Sequence, residues 1–179
     1  KYIKGEKRGM CYEDWEKALP QEIKGDSLWK VSAYRFALYL SDLGWRDVTK
    51  LMQDRRTIGL SDQMYRALGS ICANIEEGYS RGTGKDRARF YEYALGSARE
   101  SRGWYYRARH ILSEVIVQHR LKLLTEIIRL LITMVPQQRS YKVSDVTLPY
   151  GIKMESTHNE DSINKKDFED LLKNSPLPK

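Results

Sequence analysis

Apolar and small side chains return every three or four positions through the middle of this chain. Met64, Ala67, Leu68, Ile71, Ile75 and Gly78 form one such series, the periodicity of a helix with a single buried face. The series breaks at Ser80-Arg81-Gly82-Thr83-Gly84, where two glycines make helix continuation costly. Thr83 with Asp86 three positions on has the form of a capping box, which predicts a new helix from Gly84 or Lys85. Over 85–112, at about 100° per residue, Phe90, Ala94, Ala98, Ser101, Tyr105, Ala108 and Leu112 fall on one stripe. Its small members permit close approach of a neighbouring helix.

Two further helices flank this pair. Ser27 is placed to cap a first helix bearing Leu28, Val31, Phe36, Leu40 and Leu43. Gly44 is expected to end or bend it, with another turn or two from Trp45 to a polar loop at Gln53-Asp54-Arg55-Arg56. The second helix is expected from near Ser61. A fourth, over 118–134, carries Leu121, Leu124, Ile128, Leu131 and Val135 inward, and Pro136 is expected to stop it. The pattern predicts an all-α fold. Residues 1–26 form a basic and aromatic arm whose Trp15 and Leu19 dock on the helices. Residues 137–179 form a polar tail, with Ser162 placed to cap a short helix over 162–173 carrying Ile163, Phe168, Leu171 and Leu172.

Charge changes the picture, because it is unevenly placed. The formal net charge is +7 over 179 residues. Residues 1–78 carry 13 basic and 12 acidic side chains, residues 79–139 carry 12 and 5, and residues 140–179 carry 6 and 7. On the third helix the face opposite the apolar stripe holds Lys85, Arg89, Glu92, Gly96, Arg99, Gly103, Arg107 and His110. Arg81, Arg102 and Arg109 flank it, and Trp104 and Tyr106 add aromatic surface. A basic stripe interleaved with aromatics suits a phosphate backbone, since each neutralised phosphate releases counterions and arginine can stack on bases. Arg81, Lys85, Arg89, Arg99, Arg102, Arg107 and Arg109 are therefore the candidate nucleic-acid-binding residues, for RNA or DNA. The alternative is a scaffolding oligomer whose basic face serves a protein partner.

Catalysis has little to stand on. His110, His119 and His158 are not spaced with carboxylates or cysteines as a metal or acid–base site requires. Glu76 and Glu77 are adjacent on a helix and diverge by about 100°. Gly84-Lys85 fails as a phosphate loop, because Tyr79 and Asp86 stand where that motif needs Gly and Ser or Thr. The expectation is a protein without enzymatic activity, cofactor or metal. Arg66, Asn74 and Glu77, polar positions among the apolar ones of the second helix, are expected to form a structural network. Cys11 and Cys72 are far apart and suit free thiols in a reducing cytoplasm. No apolar run approaches the roughly 20 residues of a membrane span, and no secretory segment is seen at residues 1–9. A cytoplasmic location is expected.

The central stretch also resembles a known family. Gly59-Leu60, Gln63, Arg66-Ala67, Ser70-Ile71, Ala73-Asn74-Ile75, Glu77-Gly78, Phe90 and Ala94-Leu95-Gly96-Ser97-Ala98 with Glu100 are its matching words, with Leu28-Trp29-Lys30 and Ala33 upstream. They are similar to the bacterial four-helix-bundle proteins first noticed as reading frames inside intervening sequences of 23S rRNA genes. The resemblance covers roughly residues 27–136 and implies an antiparallel up-down-up-down four-helix bundle. Some members assemble as pentamers, which favours a homopentamer. A structurally similar protein is the accessory variability determinant of diversity-generating retroelements. That likeness implies an accessory role beside a reverse transcriptase and its template RNA. Cys72 and Glu76 depart from the family pattern at positions that are often small.

Overall fold

A computed structural model describes residues 9–139 and 164–179. Helix dominates it. Helices α1 (Tyr12–Ala18) and α2 (Gln21–Lys24) precede a 3-10 turn over Ser27–Lys30. Four long helices follow: α3 (Ser32–Leu51), α4 (Ile58–Tyr79), α5 (Gly84–Ala108) and α6 (Glu114–Arg139). A short α7 (Lys165–Lys173) lies near the end of the chain. Two-residue strands β1 (Gly9–Met10) and β2 (Ser175–Pro176) pair antiparallel, Gly9 opposite Pro176 and Met10 opposite Ser175. The long helices close a ring of contacts: α3 on α4, α4 on α5, α5 on α6 and α6 on α3. All-α is thus the observed class.

Several helix boundaries differ from expectation, each for a physical reason. Asp26, not Ser27, accepts the Leu28 N–H at 2.8 Å and opens the 3-10 turn, so α3 proper starts only at Ser32. Gly44 does not end α3, which runs on to Leu51. A Cβ there would stand 2.4 Å from Leu68 Cδ1, so the missing side chain is the space that seats α4. That packing outweighs the roughly 1 kcal/mol helix penalty of glycine. Thr83 caps α5 as expected: its Oγ1 accepts the Asp86 N–H at 3.1 Å and donates to Asp86 Oδ2 at 2.6 Å. Pro136 does not stop α6. The chain runs one more turn, where Gln138 accepts from Arg87 at 3.0 Å and Arg139 pairs with Glu92 of α5. Those contacts offset the single backbone bond that proline cannot donate.

The core is apolar at Leu40, Leu43, Leu51, Met64, Leu68, Ile71, Ile75, Leu123, Ile127 and Leu131, all essentially unexposed. The small positions Ala94, Ala98 and Ala108 of α5 are also fully buried, whereas Phe90 is half-buried and Tyr91 takes an inner place. Trp15 is buried as expected and donates its indole N–H to Asp42 at 2.6 Å, with the partly buried Leu19 packed on the same core. Lys1, Lys4, Lys7 and Arg8 of the arm lie outside the described residues, as do Ser162 and Ile163. Asn164 caps α7, accepting the Asp167 N–H at 2.8 Å, and Phe168 meets Phe36 edge-on at 5.0 Å.

One polar cluster sits inside this core. Asp47 of α3 and Arg120 of α6 are both fully buried. Arg120 Nε donates to Asp47 Oδ2 at 2.7 Å and Nη2 to Oδ1 at 3.1 Å, a bidentate pair. Tyr105 of α5 donates to Asp47 Oδ2 at 2.9 Å. Arg120 Nη2 also reaches the Pro176 carbonyl at 2.7 Å, and Nη1 donates to His119 Nδ1 at 2.9 Å. Because guanidinium only donates, Nδ1 is the acceptor, and His119 Nε2–H donates to the Leu171 carbonyl at 2.9 Å. Tyr39 donates to the Met10 carbonyl at 2.9 Å and receives the Ser175 hydroxyl proton at 2.8 Å. The two strand segments and α7 are therefore fastened to the helices by side chains from α3 and α6.

Two outcomes follow from these contacts. Gly44→Ala is expected to lower unfolding free energy by about 1–3 kcal/mol, because the buried Leu68 side chain must shift to admit the methyl group. Urea denaturation measures it, and an unchanged midpoint contradicts the packing argument. Burial first, then the Arg120 guanidinium, lower the His119 pKa to about 4, against an opposing pull from the Leu171 carbonyl. The unfolded chain then binds more protons between about pH 6.5 and 4, so stability is full above that window and falls on acidification. The loss is on the order of 3 kcal/mol. His119→Gln, which keeps one donor and one acceptor, is expected to flatten the dependence in a pH series of urea melts.

Candidate nucleic-acid interface

The seven candidate cations are all exposed. Lys85, Arg89, Arg99, Arg102 and Arg107 ride on α5, Arg81 stands in the turn before it and Arg109 just past its end. The burial pattern explains the placement. Ala88, Tyr91, Ala94, Ala98, Ser101, Tyr105 and Ala108 turn inward, so the residues between them are driven outward. From Lys85 to Arg107 the helix rises about 33 Å at 1.5 Å per residue.

Four of these arginines lie against aromatic rings. The Arg107 guanidinium carbon is 4.7 Å from the Trp104 ring centre, Arg109 is 4.1 Å from Tyr106, Arg89 is 5.6 Å from Tyr93 and Arg81 is 4.8 Å from Phe90. Stacking of this kind holds a planar cation at the surface with its N–H edge outward. Arg89 also donates to the Tyr93 hydroxyl at 2.7 Å, and this bond raises its already high pKa. Acidic neighbours are few and engaged. Arg81 pairs with Glu77, Arg139 pairs with Glu92, and Glu100 accepts the Trp104 indole N–H at 3.1 Å. Arg99, Arg102 and Lys85 complete the face.

The structure separates the three residues expected to form a network on α4. Arg66 pairs with Asp62 at 2.7 Å, the Asn74 amide donates to the Ser70 carbonyl at 2.7 Å, and Glu77 pairs with Arg81. Arg66 and Glu77 are exposed and each pairs one turn away, while the half-buried Asn74 joins Ser70, which accepts from Ser97 of α5 at 3.2 Å, so no common network joins the three. The buried network lies elsewhere, at Asp47, Tyr105, His119 and Arg120. A signal for it was present: Asp47 follows Leu40 and Leu43 at core spacing, and Arg120 stands between Ile116 and Leu123 in the same way. Opposite charges at two core registers mark a buried pair. Tyr93 was also legible, as an aromatic four residues from Arg89, whereas Phe90 lies nine residues from Arg81 and across a turn.

Other chemistry is muted. Burial first, with Glu76 and Asp42 adding, pushes the Cys72 thiol up to about 12, so it stays protonated. Among the described residues no group of three or more His, Cys, Asp or Glu side chains is placed to hold a metal ion. No described helix is long and apolar enough to cross a membrane.

These observations define an all-helical protein with a cationic, aromatic-backed face along one long helix. Residues 30–133 match the model of the 23S rRNA-intervening sequence protein family, and the chain belongs to that family. The match takes in α3, α4, α5 and most of α6, and leaves α1, α2, α7 and both strands outside it. No curated protein and no solved structure matches the chain.

Proposed function

We propose that this chain is a non-enzymatic accessory protein that binds a nucleic-acid backbone through the exposed face of α5. In this reading the four long helices run as an antiparallel up-down-up-down bundle, and copies assemble as a cytoplasmic homo-oligomer, a pentamer. The protein works beside a reverse transcriptase and its template RNA. That part of the reading comes from the likeness expected between this family and the accessory variability determinant of diversity-generating retroelements.

The observation that carries the proposal is the row of exposed arginines stacked on Trp104, Tyr106, Tyr93 and Phe90. The cationic face from Lys85 to Arg107, about 33 Å long, is close to one duplex turn of about 34 Å. Stacking orders the guanidinium groups in advance, which lowers the entropy lost when they meet phosphates. Nothing in the row reads base edges in a fixed order, so recognition is by backbone and shape.

Fluorescence anisotropy with a structured RNA and a DNA duplex tests this across a salt series. If all seven cations contact phosphates, log affinity falls against log salt with a slope near −6, at about 0.9 per contact on a duplex. Arg89→Glu/Arg99→Glu/Arg107→Glu is expected to weaken binding by about a hundredfold, at roughly 1 kcal/mol per lost contact, and to flatten the slope by about 3. Absence of binding at low salt, with an oligomer still formed, would assign the face to a protein partner instead.

A further inference from the structure

A second surface lies on α3, which sits across the core from α5 because both helices pack on α4 and α6. Trp45 is 61% exposed there, although Leu43, Asp47 and Val48 around it on the same helix are buried. Its ring meets Tyr65 of α4 edge-on at 5.7 Å, which fixes the indole while leaving much of it open to solvent. Beside it is a cavity of about 630 Å³, inside the range of roughly 300–1,000 Å³ that small-ligand sites occupy. Arg46 and Lys50, one helical turn apart, line the α3 side, and Pro178 and Lys179 close the other. That second wall is in place because β2 pairs with β1 and Arg120 holds the Pro176 carbonyl.

The lining is chemically lopsided. Among the lining side chains three are cationic, Arg46, Lys50 and Lys179, and one, Asp42, is a carboxylate. Asp42 is already engaged by the Trp15 indole N–H at 2.6 Å. Gln53 adds an amide and accepts from Lys50 at 3.2 Å. An open indole face beside clustered positive charge suits a ligand that is flat and aromatic at one end and anionic at the other. Aliphatic ligands would waste the ring, and a duplex hides its base faces. We propose that this cavity takes one unpaired nucleotide, its base stacked on Trp45 and its phosphate held by Arg46, Lys50 and Lys179. The site stands independently of the α5 reading, since it shares no residue with that face.

Such a unit comes either free or within a single strand, and the test separates the two. AMP and UMP, a short oligouridylate and a blunt duplex are titrated against the full chain, with ligand-observed NMR for the mononucleotides and anisotropy for the strands. Trp45→Ala and the pair Arg46→Glu/Lys50→Glu are compared with Arg89→Glu/Arg99→Glu/Arg107→Glu. Stacking on one aromatic ring contributes enough that Trp45→Ala should weaken binding about tenfold. The Arg46/Lys50 reversal should do the same, and the α5 reversal should leave mononucleotide binding in place. Trp45-dependent binding of AMP or UMP identifies a free nucleotide as a sufficient ligand. Trp45-dependent binding of oligouridylate alone identifies the unpaired strand. Trp45 is exposed, so its loss should leave the fold intact, and Tyr65→Ala gives a second variant on the same ring. If neither probe binds, or binding ignores Trp45, the proposal is overturned. It is equally overturned if Trp45→Ala changes only the oligomeric mass. Loss of duplex binding on the α5 reversal reports on the other face alone.

Discussion

A carboxylate and a guanidinium with no solvent exposure are the constraint around which the remaining structure is arranged. Taking Asp47 and Arg120 out of water is costly, and only near-complete hydrogen bonding offsets the cost. The surroundings supply it. Tyr105 gives the carboxylate a third donor, while His119 and the Pro176 carbonyl take up guanidinium N–H groups that Asp47 does not. One pair thereby ties α3, α5, α6 and the segment around β2 to a single geometry. Removing either partner would strand a buried charge, at a cost of about 3–5 kcal/mol. A hydrophobic core alone tolerates sliding between helices; a bidentate pair at its centre does not.

That geometry decides what α5 shows to solvent. Tyr105 is drawn inward by Asp47, in register with Ala94, Ala98 and Ala108. With those positions fixed, Arg89, Arg99, Arg102 and Arg107 have nowhere to lie but outside. The aromatic partners of three stacked arginines lie three or four residues away on α5 itself, so the cationic face is built largely within one helix. The opposite side of the core carries a different surface, where Trp45 is open and cations cluster at a cavity. One surface is long and straight; the other is small and concave.

Much of this was legible in the chain. Periodicity located the four long helices, and the Thr83–Asp86 box located the start of α5, because capping is a local interaction between residues three apart. Much of what escaped was decided by contacts distant in sequence. Gly44 carries a local helix-breaking signal that the Leu68 side chain overrules. Pro136 carries another, overruled by Gln138 and Arg139 reaching α5. Arg66, Asn74 and Glu77 looked like a network because they share a helix, yet each found a partner one turn away. The pairing of β1 with β2 joins residues more than 160 positions apart, with the Tyr39 hydroxyl bonded to both, and no pattern in either two-residue strand announces it.

The most direct measurement of the account is residue-resolved NMR of the arginine side chains while a structured RNA is added at low salt. Each guanidinium Nε–H reports its own environment, so the contact surface is read without altering the protein. The account predicts that shifts concentrate on Arg81, Arg89, Arg99, Arg102, Arg107 and Arg109, fade together as salt is raised, and spare the buried Arg120. Shifts scattered over Arg55, Arg56 and Arg66 with the α5 residues silent would contradict it.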